Sequence, residues 1–148
     1  MKKVGLIGGL AILIVFVIAV FTAGHMGQTN PARARGTVVL PDNLKEMAKG
    51  IRTLYIIAQG TDRPMPLGAF RETLSDDPSG VVYEFVLTAD NMPSMMGEVQ
   101  WPATFKLKAR LDQDGAAGPD RPGDLVGEVY PVKLGQEGVE IRIDHVVQ

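Results

Sequence analysis

Thr104-Phe105-Lys106-Leu107-Lys108-Ala109-Arg110-Leu111 alternates polar and apolar side chains without a break. A backbone that turns successive side chains to opposite faces is a β-strand. Phe105, Leu107, Ala109 and Leu111 therefore predict a buried face, and Thr104, Lys106, Lys108 and Arg110 a wet one. Further along, Val139, Ile141 and Ile143 alternate in the same way with Glu140, Arg142 and Asp144. Leu54–Ala58 (LYIIA) and Val81–Leu87 (VVYEFVL) do not alternate. They are nearly continuous runs of β-branched and aromatic residues, and predict central strands covered on both faces. Weaker strands are expected at Thr37–Leu40, Leu67–Thr73 and Leu125–Leu134, the last interrupted by Gly127 and Pro131. One helix is expected, over Asp42–Lys49, opening after Pro41 and closing at Gly50. Turn-forming residues separate these segments, notably at Gly60–Pro64, Asp76–Gly80 and Asp112–Gly123. Seven short strands with regular turns predict an all-β, seven-stranded sandwich of immunoglobulin-like or cupredoxin-like type.

The N-terminus is a different physical object. Between Val4 and Gly24 no side chain is charged, and sixteen of the 21 positions are Ala, Val, Ile, Leu or Phe. As a helix such a run covers roughly 30 Å, the thickness of a bilayer's hydrocarbon core. Lys2 and Lys3 precede it, and the next basic residues are Arg33 and Arg35. The positive-inside tendency then keeps Met1 in the cytoplasm and exports the rest. A cleaved signal peptide is the competing reading, but its apolar stretch is typically about 7–15 residues and ends at a small-x-small site. The expected organisation is a transmembrane anchor at 1–24, a tether at 25–35 and a periplasmic β-sandwich at 36–148. The protein is thereby placed as a single-pass protein of a bacterial inner membrane. Gly5, Gly8 and Gly9 offer the anchor a small-residue packing face toward other membrane proteins.

Charge and composition remove several function classes. Four of the fifteen basic residues precede Gly36 and none of the seventeen acidic ones does, so 36–148 holds eleven basic against seventeen acidic residues, a net of −6. Nucleic-acid binding, which needs a basic face, is not expected. The chain has no cysteine and two histidines, so a disulfide framework, a thiolate metal site and haem attachment through C-x-x-C-H are excluded. Hydrolase, zincin, Walker and dinucleotide motifs are missing as well, and neither an enzyme activity nor a cofactor is expected. His145 shares the facing of Ile143 and reads as a packing residue. Asp112-Gln113-Asp114-Gly115 matches only the opening of a calcium loop, without its remaining ligands.

The cluster Met92-Pro93-Ser94-Met95-Met96, with Met65-Pro66 elsewhere, has three readings. The methionines can plug the irregular end of a sandwich, since a thioether chain fits uneven gaps. They can form an adaptable partner surface comprising Met65, Pro66, Met92, Pro93, Met95 and Met96. As soft ligands, Met92, Met95 and Met96 could also hold Cu(I).

Tyr55-Ile56-Ile57-Ala58-Gln59-Gly60 is followed by Arg63-Pro64-Met65-Pro66-Leu67-Gly68-Ala69-Phe70-Arg71 and by Tyr83–Met92. Lys108-Ala109-Arg110-Leu111, Gly123-Asp124-Leu125-Val126-Gly127 and Val139–Asp144 complete the series. Their order resembles the C-terminal periplasmic domain of the CcmI/CycH proteins of c-type cytochrome maturation, over residues 36–147. The resemblance implies an immunoglobulin-like sandwich and a role in presenting apocytochromes to the haem-ligation machinery. The chain differs from the family in carrying one apolar span instead of two and in lacking helical repeats before the sandwich. Leu111-Asp112 also stands where the family has a serine after Ala-Arg.

Two function classes follow, neither of them enzymatic. In the first, a membrane-anchored assembly factor holds a cytochrome or another maturation protein, with a sheet edge near Pro66 or the Met92–Met96 loop as the contact. In the second, the chain is an accessory single-span subunit of a respiratory or photosynthetic electron-transfer complex. A methionine-based periplasmic copper chaperone ranks behind both.

Overall fold

The alternation in Thr104–Leu111 becomes the middle of a five-stranded sheet. In the computed structural model, which describes residues 30–63, 65–95, 97 and 100–148, these residues lie in the strand Thr104–Asp112. Phe105, Leu107, Ala109 and Leu111 are all fully buried, as the pattern requires. Burying a large apolar side chain stabilises by about 1.5–3 kcal/mol, so this one face contributes much of the core. The strands in chain order are β1 (Ala34–Leu40), β2 (Thr53–Gln59), β3 (Pro66–Thr73), β4 (Gly80–Leu87), β5 (Thr104–Asp112), β6 (Leu125–Lys133), β7 (Gln136–Arg142) and β8 (His145–Val146). One sheet has the order β4-β1-β7, the other β3-β2-β5-β6-β8. Pro31–Gln148 form one compact unit.

The two sheets enclose a single apolar layer. Leu54, Ile56 and Ala58 of β2 face it from one side, Val38, Leu40, Phe85, Leu87 and Ile141 from the other. Trp101 closes one end, its ring edge-on to Phe105 at 5.2 Å and 88°. β1 pairs antiparallel with β4 and parallel with β7, so the chain crosses between sheets rather than running as a meander.

Each of the seven expected strand segments overlaps a strand, although Leu134 falls outside β6 and Ile143 and Asp144 fall outside β7, and the two-residue β8 makes an eighth. Four expectations need correction. The Asp42–Lys49 helix is a pair of single-turn 3₁₀ helices, Asp42–Leu44 and Glu46–Ala48, which bury only Leu44 and Ala48. Val81–Leu87 is not central: β4 is the edge of the three-stranded sheet, and Val81 and Val86 are exposed. His145 does not pack inward, because alternation breaks at Asp144, whose Oδ1 lies 2.5 Å from the exposed imidazole. The tether ends before residue 35: Arg33 N donates to the Leu87 carbonyl at 2.7 Å, and Ala34 is already fully buried in β1. The expected anchor with Gly5, Gly8 and Gly9, residues 25–29 of the tether, and Met96 lie outside the described residues. Among the described residues no helix is long and apolar enough to cross a membrane.

Candidate functional site

The outer face of the five-stranded sheet carries an open groove of about 770 Å³. Strand register builds its floor. Tyr55 lies opposite Arg110, Ile57 lies between Ala69 and Lys108, and Gln59 opposite Pro66. One wall is the loop after β5, through Ala117, Gly118, Pro119 and Asp120, and Met95 also lines the groove. The lining thus combines apolar side chains from three strands with a few charged groups at one side.

Those charged groups hold the loop. Arg110 is buried, although it occupies the face expected to be wet. Its Nη1 donates to the Gly118 carbonyl at 2.8 Å and to Asp120 Oδ1 at 3.0 Å, and its Nη2 lies 3.1 Å from Asp112 Oδ2. The guanidinium also sits 4.9 Å from the centroid of the Tyr55 ring. Among the described residues its Nε is the one buried side-chain polar atom without a hydrogen-bond partner. Lys108 donates to Asp120 Oδ2, and Tyr55 OH to the Gly115 carbonyl. Desolvation works to raise the Asp120 pKa, but hydrogen bonds from Lys108 and Arg110 outweigh it and hold the carboxyl below its ordinary value.

The base of the loop uses its carboxylates internally. Asp112 Oδ1 accepts from the backbone N–H groups of Asp114 and Gly115, and Asp124 from those of Gln113 and Arg121. Burial, followed by the Asp114 carboxyl and the charge of Asp124, raises the pKa of Asp112. The Ala116 N–H and the contact with Asp112 lower that of Asp114. The partial calcium-loop pattern is therefore a turn stapled by its own aspartates. Among the described residues, no group of three or more His, Asp or Glu side chains gathers as a metal site.

The partner residues singled out in the sequence divide among three environments. Met95 and Pro66 both line the groove, and Met95 is exposed. Met92 is fully buried, packed so closely under β3 that a Cβ on Gly68 would lie 2.8 Å from its Cγ. Met65 and Pro93 are exposed but do not line the groove. Of the proposed Cu(I) ligands, Met92 thus faces the core, Met95 the groove, and Met96 is outside the described residues. The edge of β3 near Pro66 is occupied by the chain itself: Gly68 bridges Ser94, and Met95 N donates to the Leu67 carbonyl at 3.2 Å.

Tyr55, Lys108, Arg110 and Asp120 were not among the expected site residues. Alternation in β5 placed Lys108 and Arg110 on one face with Lys106, but nothing local shows that a loop eight to twelve residues further on folds over that face.

The fold is thus an immunoglobulin-like β-sandwich with an open, apolar-lined groove on one sheet. Comparison with protein families gives its affiliation: the model for the Ig-like domain of cytochrome c-type biogenesis protein H matches residues 35–144. The chain belongs to that family, as the order of its sequence segments implies. Neither the curated proteins nor the solved structures contain a match to it.

Proposed function

We propose that the protein is a membrane-anchored, non-enzymatic assembly factor of c-type cytochrome biogenesis, whose sandwich holds a cytochrome or a maturation partner at the periplasmic face of the inner membrane. Membership in the biogenesis family supports the pathway, and the apolar run Val4–Gly24 supports the anchor. The observation that carries the reading is the groove. Ile57, Pro66, Ala69 and Met95 present an apolar strip beside Lys108 and Asp120. A partner segment laid there gains from apolar burial and is oriented by a few polar groups, as in other protein-binding clefts. The unbranched Met95 side chain adapts to the segment bound. Anchoring confines the search for a client to the membrane surface and raises the effective concentration of the pair.

Deleting the gene should leave c-type cytochromes present in apo form but depleted of covalently attached haem, measured by haem staining beside immunoblotting. The full chain should restore attachment, and Met95→Glu should fail to restore it at equal protein level. Normal haem staining in the deletion strain would overturn the reading.

A further inference from the structure

A β-sandwich must guard the edges of its sheets, because unpaired backbone groups there invite another strand. Three of the edges are managed. β3 is paired at its start by the Ser94–Met95 loop, and β8 is only two residues long. The chain leaving β7 turns across the flank, with Ile143 N donating to the Val39 carbonyl at 2.9 Å and Asp144 N to that of Val126 at 3.0 Å.

β4 is different. It ends its sheet, and among the described residues no further strand pairs with it. Gly80-Val81-Val82-Tyr83-Glu84-Phe85-Val86-Leu87 contains no Lys, Arg or Pro. Val81 is 58% and Val86 43% exposed. Only the far end is closed, by Asn91 Nδ2 donating to the Val86 carbonyl at 2.7 Å.

The near end opens on a pocket of about 230 Å³, lined by Leu74, Ser75, Asp76, Asp77, Val81 and Val82 among others. A register shift opposite Val38 and Val39 leaves Val82 without a partner on β1. A bulge of this kind lets two consecutive valines reach one pocket, where regular pleating would send them to opposite faces. The pocket therefore joins an aliphatic wall to carboxylates. Asp77 accepts from Gly50 N and from Arg52 Nη1, whereas Asp76 Oδ2 accepts from the Ser75 hydroxyl. Glu84 on β4 and Glu72, bound to Tyr83, lie on the same flank outside the pocket lining, so that the carboxylates of flank and pocket together outnumber the two cations that act on Asp77, Arg52 and Lys49.

We propose that the edge of β4 accepts an extended segment of a partner protein as a fourth strand, with a lysine or arginine of that segment entering the Asp76–Val82 pocket. Main-chain hydrogen bonds supply binding, Val81 and Val86 meet alternate apolar side chains, and the pocket selects the basic residue along its aliphatic stem. This surface lies on the opposite sheet from the groove and acts independently of it.

The test uses the full chain in detergent micelles and two ten-residue acetylated peptides, one alternating Val with Lys and one alternating Val with Glu. The Val/Lys peptide should bind, protect the amides of residues 80–85 from hydrogen exchange, and bind at least tenfold more tightly than the Val/Glu peptide. Val81→Lys with Glu84→Lys should weaken it at least tenfold while thermal unfolding stays unchanged, since both positions are exposed. Met95→Glu, in the groove, should have no effect. Equal binding of the two peptides, no binding, or protection of β2 and β5 instead of β4 would overturn the proposal. So would a concentration-dependent dimer abolished by Val81→Lys, which would make this edge an interface between two copies.

Discussion

The two flanks of the sandwich solve the same problem in opposite ways. On the β6/β7 flank the backbones meet almost without side chains between them: a Cβ on Gly127 would fall 1.9 Å from the Arg142 carbonyl oxygen. Backbone hydrogen bonds from Asp144 to Val126 and from Ile143 to Val39 then seal the seam. On the β3/β4 flank the sheets are held apart by side chains. Phe70 and Tyr83 meet at a tilt of 34° with centroids 5.7 Å apart, and Tyr83 OH donates to Glu72 at 3.1 Å. The first flank is shut by main chain and admits nothing. The second is bridged by a few removable contacts, and its outer strand remains open.

Substitutions that exchange these properties test the comparison. The largest effect is expected on the closed flank. Gly127→Ala forces a methyl group into a carbonyl that cannot yield without moving a strand, so its cost should reach or exceed the upper end of the ~1–3 kcal/mol typical of overpacking. Denaturant unfolding measures it, and a loss under 0.5 kcal/mol would mean that the seam is not shut by backbone contact. On the open flank Tyr83→Phe keeps the ring on Phe70 and removes only the hydrogen bond, which should cost about 1 kcal/mol. Burial, and then the bond to Glu72, raise the Tyr83 pKa, so its titration in the wild type should begin above that of a free tyrosine.

The smallest effect should come from acid. The Gly50 N–H, and then Arg52, hold the Asp77 carboxyl below its ordinary value of 3.8. A group whose pKa falls on folding supports the folded state above the unfolded value and loses that support as pH drops through the folded one. Hydrogen-exchange protection in residues 74–82 should therefore decline as pH falls below about 3.8, while Val126 and Ile143 keep theirs. Simultaneous loss on both flanks would remove the distinction.

How much of this could be read along the chain depended on whether the cause was local. Period-two alternation placed β5 and β7 correctly, because an inward side chain in a strand has only one core to face. The same reasoning failed for Val81–Leu87: a continuous apolar run means burial on both faces only if something covers the second, and nothing among the described residues does. Asp42–Lys49 failed for a related reason. Leu44 and Ala48 are four apart, a spacing that two successive 3₁₀ turns meet as well as one α-helical segment. At the site, Pro66 and Met95 were legible as surface candidates, yet Met92 was not separable from Met95 by composition. Its burial follows from the bare backbone of Gly68 above it.

The sequence by itself determined an all-β sandwich, the family to which the chain belongs, and an acidic region 36–148 with no thiol chemistry. These rest on residue types and short-range order. Only the tertiary structure decided that Arg110 is buried, that Met95 and Pro66 share a groove while Met92 fills the core, and that β4 rather than β3 presents an open edge. Each depends on which segments distant in sequence come to lie over a given face, and that is set by packing across the whole sandwich rather than by the preferences of any one strand.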